Sequence, residues 1–137
     1  MADAKPPLTA ELVWSEGLQF GATSGSTAIV VDGDGRAGPS PMQLAAFALS
    51  GCMAADVVSI LQKGRHPFTA IRASFSGTRA PDHPRRFTGI SLHFYIAGDV
   101  PHDAVEHAIG LSRNKYCSVL HSMREDIEFI TAFEIHT

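Results

Sequence analysis

The stretch from Ser40 to Gly64 constrains this chain most, because it reads as one long helix that is apolar on nearly every face. Ser40-Pro41-Met42-Gln43 is a start signal with a mechanism. Ser40 can cap, Pro41 suits the first turn, and Gln43 stands where a capping box wants Glu or Gln. Good helix formers run on to Lys63, and Gly64 is placed as the left-handed stop. Residues 41–63 predict a helix roughly 35 Å long at about 1.5 Å per residue. Apolar all round, it should be a buried central helix and not one laid on a surface. Gly51 in its interior costs about 1 kcal/mol relative to Ala, which points to close packing there or to room needed beside Cys52.

The flanking segments read as strands. Leu8 to Trp14, residues 17–23 and Thr27 to Val31 form a meander, stopped by Asp32-Gly33-Asp34-Gly35. That Gly-Asp-Gly run is a turn and not a phosphate loop, since no helix follows directly and no Lys-Ser/Thr accompanies it. Phe68 to Ser76 and Phe87 to Ile96 alternate across a loop holding Gly77, Pro81 and Pro84. A second helix is expected over Pro101–Asn114, with Val105, Ala108, Ile109 and Ser112 near one face. A short third helix, Tyr116–Met123, would carry Cys117, and Ile127–Ile135 closes the chain as a strand. The order β-β-β-α-β-β-α-α-β predicts an α+β fold with largely antiparallel sheets.

Size and composition limit the rest. With 137 residues, 45% apolar and 18% charged, residues 1–137 are expected to form a single domain that can bury a core without disulfides. The low charged share hints at surface hidden by a partner subunit. A net charge of −3 with scattered cations argues against nucleic acid, and Arg79, Arg85 and Arg86 read as a solvated loop. The N-terminal residues hold no apolar signal core, and Gln62, Lys63 and Gly64 close the longest apolar run. No membrane partner and a cytoplasmic location are therefore expected, with reduced thiols. The seven His share no ligand spacing, so no metal and no cofactor is expected.

The two cysteines, Cys52 and Cys117, lie far apart in unrelated local contexts. Zinc-finger and Cys-X-X-Cys spacings are absent. Two idle buried thiols, one structural disulfide, and a reactive thiol with a distant resolving partner all remain open, and composition alone favours the first. Asp56, four residues after Cys52 on the same helix face, can hydrogen-bond in a site there, or be a satisfied interior carboxylate or a dimer contact.

Gly38-Pro39-Ser40-Pro41-Met42-Gln43-Leu44, then Ala45 to Gly51 and Cys52, resembles the central-helix signature of the OsmC/Ohr family of organic hydroperoxide reductases and osmotically induced peroxidases. Asp56-Val57-Val58-Ser59-Ile60-Leu61 continues the match in the manner of its less characterised branches. Lys115-Tyr116-Cys117-Ser118-Val119, with Ile127-Glu128-Phe129, resembles the second family motif. The resemblance spans essentially the whole chain and implies an OsmC-like fold, sheets around a long central helix in an intertwined homodimer with sites at the subunit interface. It implies Cys52 as the peroxidatic thiol and Cys117 as the resolving one, with a small-molecule hydroperoxide as substrate and a dithiol reductant.

The chain departs from that pattern at the activating charges. The family has a Glu at the helix start paired with an Arg from the N-terminal strands. Here Met42 replaces the Glu, and Gln19 occupies the region of the Arg. Met42, Gln43 and Gln19 are the candidate substrate-binding residues. Loss of both charges is self-consistent, because either alone would be an unpaired buried charge. Arg124 is the best substitute cation, and His121, at i+4 from Cys117, is a second neighbour. The alternative is a noncatalytic dimer binding a small apolar ligand in a pocket lined by Met42, Phe47, Leu49 and Met53.

Overall fold

The structure, a computed structural model, describes residues 4–137, so the reading of Met1, Ala2 and Asp3 lies outside the described residues. The elements are β1 (Glu11–Glu16), β2 (Gln19–Ser24), β3 (Thr27–Asp32), α1 (Pro41–Lys63), β4 (Phe68–Arg79), β5 (Phe87–Gly98), α2 (His102–Leu111) and β6 (Glu128–His136). The fold is α+β, with two three-stranded sheets ordered β1-β2-β3 and β4-β5-β6. Two compact units divide the chain, one ending at Ala45 and the other spanning Ala46–Thr137.

The first unit is an antiparallel meander. Gly25, at φ +57°, opens the two-residue turn between Ser24 and Thr27, where a left-handed backbone matches the twist of the strands. β1 bulges between Trp14 and Glu16, and the Trp14 indole donates to the Gly17 carbonyl at 2.9 Å. After β3, Asp32 organises the loop. Its carboxylate accepts the Asp34 and Ala37 N–H groups at 2.9 Å each and that of Arg36 at 3.3 Å. These donors, Ala37 first, hold the Asp32 carboxyl below the usual carboxylate range. The loop delivers the chain to the start of α1, where the expected capping box forms. Gln43 Oε1 accepts the Ser40 N–H at 2.9 Å, and Ser40 Oγ accepts the Gln43 N–H at 3.2 Å.

The second unit holds nearly all of the core. Along α1, Leu49, Met53, Val57 and Leu61 recur every fourth residue and are buried. Ile90, Leu92, Phe94 and Ile96 do so every second residue along β5, joined by Val105, Ala108 and Ile109 of α2. β4 and β5 pair antiparallel over most of their length, as a hairpin. β6 alternates, with Phe129, Thr131, Phe133 and Ile135 on its half-buried side.

Four expectations are corrected. β6 runs parallel to β5, from Gly89↔Glu128 to Ala97↔His136, so this sheet is mixed. Parallel strands need a crossover, which α2 and the segment after it supply. The third helix reduces to a π-helical turn, Ser112–Tyr116, and a 3₁₀ turn, Leu120–Ser122, with Cys117 extended between them. Burial of α1 within the chain is confined to its one stripe, and Phe47 is 63% exposed. Nothing lies within 4 Å of a side chain built at Gly51.

Candidate functional site

Both cysteines are free thiols, Cys52 half-buried on α1 and Cys117 fully buried. Cys52 is close enough to Cys117 to act on its titration. The fold thus brings together two residues that the sequence holds far apart.

The turn that carries Cys117 explains how. α2 runs on through Leu111 into the π-helical turn, and the Cys117 N–H closes it by donating to the Ser112 carbonyl at 2.8 Å. Single π turns of this kind recur at functional sites because they re-aim a side chain without ending the helix outright. Cys117 then behaves as a cap for the next turn. Its sulfur accepts the Leu120 N–H at 3.3 Å, and its carbonyl accepts that of His121 at 3.1 Å. Ser112 is wholly buried, and its hydroxyl donates to Asp56 Oδ2 at 2.7 Å. Asp56 stands one turn beyond Cys52 on α1, so the site is a four-residue cluster from two elements.

Electrostatics separate the two sulfurs. Burial pushes the Cys117 thiol up to about 11, aided by the neighbouring Cys52 thiol and the Asp56 carboxylate and opposed by the Leu120 N–H. Cys117 therefore keeps its proton at neutral pH. A buried, protonated thiol is a poor first nucleophile, while Cys52 is the one with a path to solvent.

The other candidates are placed differently. Gln43 spends its amide oxygen on the α1 cap, while Met42 and Gln19 are half-buried members of the first unit. Arg124 does not serve as a free cation. It grips Asp126 with two hydrogen bonds, at 2.8 and 2.7 Å. His121 is tied to the Arg113 carbonyl at 2.9 Å. Of the apolar pocket residues, Leu49 and Met53 belong to the closed core. A cavity of about 350 Å³ lies beside Arg113, Leu120, His121 and Phe129 and is lined by neither thiol. A second, about 360 Å³, is lined by Asp56, Ser59, Ile60, Lys63, Leu111 and Tyr116. Among the described residues no group of three or more His, Cys, Asp or Glu is arranged to hold a metal.

Sequence reasoning named Ser112 only as part of a helix face. Its signal was a hydroxyl on an otherwise apolar stripe, since a buried polar group needs a partner.

The comparisons agree with this architecture. Residues 32–132 match the model of the OsmC-like protein family. Protein YhfA of Escherichia coli K12 is 39% identical over 131 residues, covering 93% of this chain and 98% of its own. A crystal structure of a hypothetical protein from Aquifex aeolicus superposes with a TM-score of 0.89 at 27% identity, covering 96% of this chain and 97% of that one. An organic hydroperoxide resistance protein from Legionella pneumophila shares the fold at a TM-score of 0.71 and 13% identity, over 96% and 99% of the two chains. With a family match running through both cysteine segments and a relative aligned almost end to end, the chain belongs to the OsmC-like protein family.

Proposed function

We propose that this protein is a thiol-dependent peroxidase that reduces organic hydroperoxides through Cys52 and Cys117. The observation that carries the reading is the pairing of two free thiols from distant segments, one half-buried and one sealed and protonated. The Cys52 thiolate attacks the terminal oxygen of the hydroperoxide. The O–O bond breaks, the alcohol leaves after taking a proton, and Cys52 becomes a sulfenic acid. Cys117 sulfur then attacks the Cys52 sulfur. An S–S bond forms, the S–O bond breaks, and the Cys117 proton leaves with the hydroxyl as water. A dithiol reductant returns both thiols by exchange.

The fold's likeness to an organic hydroperoxide resistance protein supports the substrate class. With Met42 and Gln19 in place of an ion pair, the turnover is slower than in proteins that keep those charges, and Met42, Gln43 and Gln19 contact the substrate's organic part. The working form is a homodimer. In the first unit Leu12, Trp14 and Ile29 are exposed on one face of the sheet and Val13 and Val30 on the other, and in the second Phe47 is exposed, apolar side chains that a second copy would cover.

The test is turnover of cumene hydroperoxide with a dithiol. Cys52→Ser should abolish it, and Cys117→Ser should permit a single oxidation to sulfenic acid. Raising the pH from about 7 to 9 should speed wild-type peroxide consumption, because the thiolate fraction grows up to tenfold per unit below the pKa. A rate that is flat over that range, or unchanged in Cys52→Ser, would sink the assignment.

A further inference from the structure

We propose that Ser112 and Asp56 form a latch between α1 and the Cys117 turn, making both of them positioning residues for the step that joins Cys117 to Cys52. This rests on the peroxidase reading of the two thiols. Ser112 is used at both ends: its hydroxyl donates to Asp56 Oδ2 at 2.7 Å, and its carbonyl accepts the Cys117 N–H at 2.8 Å. One residue therefore links the carboxylate on α1 to the backbone of the resolving thiol. Cys52 and Asp56, four apart, share the face of α1 that meets this turn. Neither bond is a casual surface contact, since Ser112 is wholly buried and Asp56 is its hydroxyl's partner.

Geometry makes such a latch consequential. A disulfide needs its two β-carbons at roughly 3.8 Å and a fixed torsion about the S–S bond. Misplacing a reacting group by about 1 Å can cost on the order of a hundredfold in rate. The bonds Cys117 makes lie within its own segment, so the Ser112–Asp56 bond is a cross-element tether to the helix that carries Cys52.

The latch also places a negative charge beside Cys117. The titratable groups acting on this thiol are Cys52 and Asp56, both from α1. Charges on its own segment are engaged elsewhere: Arg113 donates to the Phe129 carbonyl, Lys115 lies over the Tyr116 ring, and His121 bonds the Arg113 carbonyl. Burial does most to keep Cys117 protonated, and the Asp56 carboxylate adds to it in the same direction.

Wild type, Ser112→Ala, Ser112→Thr and Asp56→Asn are treated with one equivalent of cumene hydroperoxide, quenched, and read by intact mass for sulfenic acid and disulfide. Ser112→Ala should form sulfenic acid at the wild-type rate and disulfide about tenfold more slowly. Ser112→Thr, which keeps the hydroxyl, should recover. Asp56→Asn keeps an oxygen acceptor and loses the charge. It should move the pH of Cys117 alkylation, measured in a Cys52→Ser background, downward. Disulfide formation in Ser112→Ala within twofold of wild type, or an unmoved alkylation profile in Asp56→Asn, overturns the latch. Should wild type form no sulfenic acid at all, the peroxidase assignment falls. The latch is then judged with diamide, which takes two hydrogens from the thiol pair directly. The same tenfold deficit in Ser112→Ala supports it, and equal rates overturn it.

Discussion

In β5 the side chains of Ile90, Leu92, Phe94 and Ile96 are buried in turn, whereas all six residues of β1 are exposed. Both strands carry the β-branched and aromatic residues that favour extended backbone. What separates them is cover. The second unit supplies α1 and α2 stripes whose buried residues match those of β5. In the first unit only Val31 and Asp32 are buried among the described residues. A three-stranded meander is held by its register, its Gly25 turn and the Asp32 loop, and such small sheets are marginal without an apolar partner. Strand formation and core formation are therefore separate problems in this chain, solved in different places.

The sharpest way to break that contrast is to truncate one apolar side chain in each unit, buried in the second and exposed in the first. Phe94→Ala should cost about 3–5 kcal/mol of unfolding free energy in a denaturant titration, from lost burial plus the cavity left behind. Leu12→Ala should cost less than about 0.5 kcal/mol in a dilute, monomeric sample, as exposed substitutions do. If the proposed homodimer forms at higher concentration, the Leu12→Ala penalty should grow there, because association stabilises by mass action. An equal penalty for both variants at every concentration would erase the distinction between the units.

A second measurement uses the two buried groups whose titration is shifted in opposite directions. Asp32 has its folded pKa lowered, so its contribution is present above the unfolded value of 3.8 and is lost as pH falls through the folded one. Cys117 has its folded pKa raised, so its contribution is complete below 9.0 and lost between 9.0 and about 11. Stability should thus fall at both ends of the pH range. Asp32→Asn should flatten the acid limb alone, and Cys117→Ser the alkaline limb alone. Either substitution flattening both limbs would show that the units do not titrate independently.

The smallest effect is expected at Gly51. Open space surrounds it in the chain, so Gly51→Ala should gain up to about 1 kcal/mol through helix propensity. A loss instead, growing with protein concentration, would place the partner subunit against that turn of α1.

Much of this was legible in the residues themselves. The α1 boundaries and its capping box follow from local chemistry, and the structure reproduces both at Ser40, Gln43 and Lys63. The alternation of Phe87–Ile96 and the closing strand were likewise read from the sequence, and the structure has both strands. The parallel pairing of β6 was not legible, because alternation fixes which face is buried and not which way a neighbour runs. The meeting of Cys52 and Cys117 came only through the family motifs, since no local pattern links segments so far apart. Ser112 was missed as a site residue because its partner, Asp56, sits in a different element. Arg124 looked available in sequence and is not, as Asp126 two residues on already holds it.

The parallel pairing of β5 with β6 also bears on when the thiol pair comes into existence. Cys117 lies inside the crossover that joins these strands, tied on one side to α2 and on the other to the final strand. Non-local parallel pairing forms late in folding, because the loop between must be closed before any ladder bond repays it. Newly made or partly unfolded chains would therefore carry Cys52 on a formed helix without Cys117 beside it. On the proposed thiol chemistry, such chains would have nothing to convert a Cys52 sulfenic acid into a disulfide and would be exposed to further, irreversible oxidation. Protection of Cys52 would in this sense be a property of the finished sheet, acquired with its last strand.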